Sequence, residues 1–426
     1  MSIQSELVAA PQVPLRYLVR FNPRPTGTRS DESCYLPMEA ISEFGAVDSS
    51  RTRPTAELAQ GYSFMSDGDV AYAKVTPCFE NGKGLRAAGL PGGHAFATTE
   101  ITVMRPSRQL DSRYLAWILQ SEEFRAPGEA HMSGAGGLRR VPESYAARYR
   151  VPHPSTDVQR RIADYLDHET AQIDAFIAKN EELITLLTER RAAVIVRSVS
   201  RGVRDGVALK PSGTEWATDV PSHWRVGNIR RFASMKTGHT PSRQHPEYWV
   251  DCDIPWFTLA DVWQLRQGRR DMGETSEKIS SLGLANSAAE LLPAGTVALS
   301  RTASVGFAGI MPVAMATSQD FWNWVPRREL LSEYLWFQFQ AMKPEFERLM
   351  TGSTHRTIYQ ADAASFTILV PPVSEQREIV ERLDSITTHI DDAIATAHRG
   401  VALARERRAA LISAAVTGKI DMGAAA

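Results

Sequence analysis

Apolar residues recur at three- and four-residue spacing through two stretches of the chain. In residues 154–199 the stripe is Ile162, Leu166, Ile173, Phe176, Leu183, Leu187 and Val194. In residues 371–416 it is Ile379, Leu383, Ile386, Ile390, Ala393, Leu403 and Leu411. This period predicts two long helices of coiled-coil character. Their starts are marked by Pro154 and by Pro371-Pro372, then by Thr156-Asp157 with Gln159 following, and by Ser374 in the second stretch. The two stretches align without a gap. Gln159-Arg160 falls on Gln376-Arg377, Leu166-Asp167 on Leu383-Asp384, and Arg190-Arg191 on Arg407-Arg408, the mark of an internal duplication. About 40 residues rising ~1.5 Å each make a rod of about 60 Å. Burying one large apolar side chain is worth ~1.5–3 kcal/mol, so neither stripe is expected to stay bare, and the simplest partner for one copy is the other. Antiparallel pairing would give the duplicated chain a pseudo-twofold axis and set the large Phe176 against the small Ala393. Asn180 would then lie on the seam, where a polar residue fixes register. Gly400 weakens the second helix by ~1 kcal/mol relative to alanine, for no reason visible in the sequence.

The segments before each rod carry short β-type runs and turns. Asp67-Gly68 predicts a turn feeding a strand that ends at Lys74, Asn81-Gly82 is a hairpin signal, and Ile101–Met104 is a further strand. A short amphipathic helix is expected around Tyr114–Leu119, followed by a Gly-rich basic loop at 133–140. Residues 225–370 repeat this outline weakly: Ala294–Arg301 for the strand ending at Lys74, Leu331–Phe339 for the short helix, and 350–356 for the basic loop. The predicted organisation is therefore domain 1–153, helix 154–199, linker 200–224, domain 225–370, helix 371–416 and tail 417–426. The rods are alike, whereas the domains share an outline and diverge in sequence. That is the pattern of one scaffold carrying two different recognition surfaces.

Composition narrows the function. With 426 residues, 43% hydrophobic and 23% charged, the chain has room for two or three ordinary globular domains. No apolar run reaches the roughly 18 residues of a membrane span, and the N-terminus lacks the pattern of a secretory signal. Three scattered cysteines, Cys34, Cys78 and Cys252, fit a reducing compartment. A net charge of −1 excludes a generally basic nucleic-acid binder, so any such role must rest on local patches. There is no phosphate-binding Gly-x-x-x-x-Gly-Lys-Ser/Thr loop, and the ten histidines show no metal-ligand spacing. Asn22-Pro23-Arg24-Pro25 is the nearest approach to an amino-methyltransferase motif and lacks its aromatic residue.

Several stretches resemble the conserved regions of type I restriction–modification specificity subunits: residues 370–384 (VPPVSEQREIVERLD), residues 415–421 (AVTGKID) and Pro221-Ser222-His223-Trp224. The stretch from Gly68-Asp69-Val70 through Lys74 to Asn81-Gly82-Lys83 looks like that family's target recognition domains. The resemblance covers nearly the whole chain, strongly in the rods and patchily in the domains. It implies an α+β protein with two α/β target recognition domains joined by two long helices in an antiparallel intramolecular coiled coil. Each domain would read one half of a split double-stranded DNA target. The helices would set the gap and dock two methyltransferase subunits, and restriction (motor-nuclease) subunits would join that core. The chain itself would be a non-catalytic cytoplasmic subunit binding no cofactor. S-adenosylmethionine, ATP and Mg2+ would belong to its partners. The alternatives are a specificity module of a methylation-only or type II-like enzyme, and a coiled-coil scaffold that never reads DNA.

Within that reading the DNA-contact candidates are the two loops before the rods. They comprise Ser133, Gly134, Gly136, Gly137, Arg139 and Arg140, and Thr351, Gly352, Ser353, His355, Arg356 and Thr357. Glycine permits close backbone approach, and arginine meets phosphate or guanine edges. Lys74, Lys83, Arg301, Thr302 and Ser304 are second candidates, since Lys74 and Arg301 occupy matching places in the two outlines. The bland reading of each is a surface loop or turn. For the rod arginines it is a solvated face or a partner contact, and for Trp256, Phe257, Trp263, Trp322 and Trp324 it is core packing.

Overall fold

The computed structural model describes residues 3–25, 30–350 and 357–420. It divides into two compact units, residues 1–181 with 398–426, and residues 182–397. Both are mixed α+β. Two long helices, Thr156–Arg201 and Val373–Val416, each contribute to both units.

In the first unit an antiparallel four-stranded sheet runs in the order Val19–Phe21, Ile101–Pro106, Val70–Ala73, Gly84–Arg86. Beside it lies a mixed sheet in which Glu32–Leu36 runs parallel to His94–Ala97. The second unit repeats the plan. Its antiparallel sheet is Ala233–Thr237, Phe321–Pro326, Val297–Ser300, Ala308–Ile310, and Ile254–Phe257 runs parallel to Ala316–Thr317. The central strands are buried throughout, so they read in sequence as short apolar runs rather than as alternation. The short helices Ser112–Gln120 and Ser332–Ala341 pack on these sheets with most of their residues buried.

In each unit the two long helices meet antiparallel. In the first, Ile162 and Leu166 share a core with Ile412, Ala415 and Val416. In the second, Ile195 and Val199 share one with Ile379 and Leu383. Cross-helix ion pairs repeat at matching places: Arg408 Nε to Asp174 Oδ1 at 2.9 Å, and Arg191 Nε to Asp391 Oδ1 at 2.8 Å. These arginines of the predicted basic pairs are therefore engaged by helix partners.

The expected seam needs correction in register. Ile162, Leu166, Ile173, Ile379, Leu383 and Ile390 are buried and Leu187 is half-buried. Leu183, Leu403, Ala393 and Phe176 are exposed, Leu403 at 66%. Phe176 does not face Ala393. Its ring lies at Gly400, about two turns further along, where a Cβ would stand 3.6 Å from Cζ of the ring. That is an ordinary van der Waals distance, so the ring packs on the glycine without requiring it. Asn180, beside it and half-buried, donates through Nδ2 to the Phe176 carbonyl at 2.8 Å.

Gln159 and Gln376, aligned in the duplication, tie each long helix to its own unit. Both are fully buried. Gln159 Nε2 donates to the carbonyls of Gln109 (3.0 Å) and Pro154 (2.9 Å), and its Oε1 accepts from Asp111 N (2.8 Å). Gln376 Nε2 donates to Glu329 (2.8 Å) and Pro371 (2.9 Å), and its Oε1 accepts from Leu331 N (2.9 Å). The glutamine thus satisfies the backbone just ahead of the short helix as well as the start of its own.

Two segments differ from expectation. Residues 200–224 are not a plain loop, because Leu209–Pro211 pairs with Asp219–Pro221, and Ala217, Val220 and Trp224 enter the core. The N-terminus forms an unforeseen helix, Ile3–Ala9, whose Ile3 and Leu7 join the core at the end of the second long helix. No described helix is long and apolar enough to cross a membrane.

Candidate nucleic-acid interface

The Gly-rich stretch of the first unit is an ordered hairpin, not a loop. Ser133–Ala135 pairs with Leu138–Arg140, joined by Gly136-Gly137 at φ 64° and 80°. Both positions lie in the left-handed region, which a tight two-residue hairpin turn requires and glycine supplies. Gly134, at φ 151°, is also obligatory, since a Cβ there would run into the Leu138 carbonyl. All six strand residues are exposed. The hairpin is stitched to the end of the central strand. Thr76 N donates to Arg139 O at 2.9 Å, Val141 N donates to Lys74 O at 2.8 Å, and Val75 bridges Arg140.

This brings Lys74, Arg139 and Arg140 together with two acids that the sequence did not single out. Arg140 grips Glu100 with two parallel bonds, Nε to Oε2 at 2.9 Å and Nη2 to Oε1 at 2.8 Å. The hydrogen bond from Arg140, with the charges of Arg140 and Lys74, holds the Glu100 carboxyl below the usual range against a smaller opposing effect of burial. Arg139 reaches Glu80 more loosely, at 3.5 Å. Arg140 and Glu100 are 40 positions apart, so no local spacing advertises them.

The second unit repeats the backbone ladder. Arg301 N donates to Asp320 O (2.9 Å) as Lys74 N does to Glu100 O (2.9 Å), and Ile358 N donates to Arg301 O (3.0 Å) as Val141 N does to Lys74 O. Thr302 bridges Thr357 where Val75 bridges Arg140. The side chains differ. Asp320 accepts from the hydroxyls of Thr302 (2.8 Å) and Ser318 (2.9 Å). The Arg301 guanidinium lies 4.3 Å from the Trp322 ring centroid, and burial pushes its pKa down.

The remaining expectations divide. Lys83 is half-buried and donates to the Met38 carbonyl at 3.2 Å, so it points inward. Ser304 is buried beneath Arg266, which donates to its hydroxyl. Gly352, Ser353, His355 and Arg356, with Thr351, lie outside the described residues. Trp256, Phe257, Trp322 and Trp324 are core residues, whereas Trp263 is exposed with Arg269 5.6 Å from its ring. Arg243 lies 3.7 Å over the Trp249 ring and pairs with Glu277. Among the described residues no cluster of three or more His, Cys, Asp or Glu side chains could hold a metal ion.

Residues 221–396 match the family model described as Type I restriction modification DNA specificity domain. The chain is 33% identical over 195 residues to the type I restriction enzyme EcoEI specificity subunit of Escherichia coli, a match covering 42% of this chain and spanning a third (33%) of that relative's length. Its fold is like that of a chain solved in a study of complex assembly and conformational transition of the type I R-M system, with a TM-score of 0.75 and 17% identity, covering 96% of this chain and 98% of the other. It is also like the HsdS subunit from Thermoanaerobacter tengcongensis, with a TM-score of 0.55 and 18% identity, covering 96% and 97%. At these identities the structural likeness concerns the fold alone.

Proposed function

We propose that this chain, whose residues 221–396 match the type I restriction modification DNA specificity domain, is the non-catalytic DNA-specificity subunit of such a complex. Residues 1–153 and 225–370 are its two recognition domains, each reading one half of a bipartite double-stranded target. The long helices set the unread gap and dock two methyltransferase subunits, which restriction subunits join in the cytoplasm. S-adenosylmethionine, ATP and Mg2+ are used by those partners.

One observation carries this reading. The two units hold the same backbone ladder at the ends of their central strands, Lys74 with Glu100 and Val141, and Arg301 with Asp320 and Ile358, and dress it with different side chains. One scaffold with two surfaces is what an asymmetric split target demands. The contact set in the first unit is Lys74, Ser133, Gly134, Gly136, Arg139 and Arg140. In the second it centres on Arg301, Thr302 and Thr357 with Gly352, Ser353, His355 and Arg356. With a net charge of −1 the isolated chain releases few counterions on binding, so tight binding belongs to the assembly.

Single-molecule sequencing of methylated adenines tests the proposal, in cells with and without this chain and with its methyltransferase partner present in both. A split motif that disappears with the chain is the expected result, and an unchanged methylome refutes it. Inserting four residues into one long helix should lengthen the gap, and an unchanged gap rejects the spacer role.

A further inference from the structure

The two arginines of the hairpin are held differently, and the difference separates a base contact from a backbone contact. Arg140 meets Glu100 through Nε and Nη2, at 2.9 and 2.8 Å. That edge-on grip fixes the plane of the guanidinium and leaves its outer edge, with the remaining Nη1 and Nη2 hydrogens, unused by the carboxylate. Arg139, paired to Glu80 by a single 3.5 Å contact, keeps more of its freedom.

A carboxylate beside an arginine cancels much of its charge. For a phosphate contact that is a handicap, because Glu100 would repel the phosphate. For a guanine it is not, since the O6 and N7 acceptors on the major-groove edge are uncharged and ask for two parallel donors in a fixed plane. The hairpin is exposed on both strands and is held at its base by Thr76 and Lys74. The second unit carries Thr357 at the bridge position of Arg140, and there, among the described residues, Asp320 accepts from the hydroxyls of Thr302 and Ser318.

We propose that Arg140 reads a guanine in the half-site bound by the first unit, and that Glu100 is the positioning residue that orients it. The inference rests on the reading of the chain as a DNA-specificity subunit and adds to it a base, a reader and a support. Among the described residues of the second unit no arginine–carboxylate pair stands at the matching place, so the assignment concerns the half-site of the first unit.

The test uses the full chain with its methyltransferase partner and compares methylated motifs for the wild type, Arg140→Lys, Arg140→Ala and Glu100→Gln. Arg140→Lys keeps the charge and loses the planar fork. A bidentate arginine–guanine contact discriminates roughly 5- to 150-fold against other bases. Both Arg140 variants should therefore relax one guanine position by about that factor, leaving the other positions and the gap intact. Glu100→Gln should relax the same position less. Thermal melting within a few degrees of the wild type certifies folding of each variant. Three results overturn the proposal: an even loss of methylation with unchanged base preferences, as for a phosphate contact; a wild-type motif restored by lysine; or no change at all, as for a hairpin staple. A wild type with a split motif but no invariant guanine in either half also overturns it while leaving the specificity role standing. A wild type with no split motif removes that role as well.

Discussion

Replacing Gln376 by leucine should destabilise the second unit by about 3–4 kcal/mol. The side chain is fully buried and its amide makes three hydrogen bonds of 2.8 to 2.9 Å, two donated to the carbonyls of Glu329 and Pro371 and one accepted from Leu331 N. A buried hydrogen bond contributes ~1 kcal/mol net, and a partner left stranded costs ~1–3 kcal/mol. The Pro371 carbonyl is the fully buried partner, so it finds no water when the amide is gone. The added apolar surface of leucine offsets part of the loss. Against a total of ~5–15 kcal/mol for a domain, the effect is large. Urea unfolding followed by tryptophan fluorescence measures it, because all of the nine tryptophans except Trp117 lie in the second unit. A loss below ~1 kcal/mol would refute the clamp, as it would mean that water or backbone shifts replace the amide. Gln376→Glu adds a check with a sign. A carboxylate there keeps the bond from Leu331 N but faces two carbonyl oxygens in a buried site, so its folded pKa rises above the unfolded ~4.3. The folded state then binds more protons, and stability falls as pH rises from the unfolded value through the folded one. Stability that rises with pH over that window would contradict the geometry.

Three further outcomes follow from the geometry. Gly400→Ala should stabilise the chain by ~0.5–1 kcal/mol in denaturant titration, because alanine favours the helix and its Cβ meets the Phe176 ring at an ordinary 3.6 Å. A destabilised variant would show that the glycine is needed for closer packing than the ring requires. Asp174→Arg with Arg408→Asp should recover most of the loss caused by either change alone, each pair being worth at most ~1 kcal/mol at this exposure; additive losses would reject the register. Glu100 should titrate below the usual carboxylate range in carbon-detected NMR and move up in Arg140→Ala. Its folded pKa lies below the unfolded one, so the tie supports the hairpin above the unfolded value and is lost as pH falls through the folded one. An unmoved titration would mean that the pair is absent in solution.

Both long helices are legible in the amino-acid sequence because their signals are local: a sustained apolar period, prolines ahead of each start, and a gapless repeat that carries Gln159 and Gln376 into the same alignment. The expected match of Lys74 with Arg301 also has a counterpart in the backbone ladder. The hairpin at 133–140 passes for a loop because its strands span three residues each, too short to display a period, and only the glycine φ values reveal the turn.

Register and pairing were decided in three dimensions. An apolar stripe states that a helix has a partner, but not how far one slides along the other. That depends on which distant residues come to lie together, as Phe176 meets Gly400 across more than two hundred residues of chain. The same holds for charge. Arg140 reads as a free cation in sequence, and it becomes an oriented, half-neutralised donor only when the fold sets Glu100 against it. Local propensity is written residue by residue, whereas complementarity between distant side chains exists only once the backbone has brought them together.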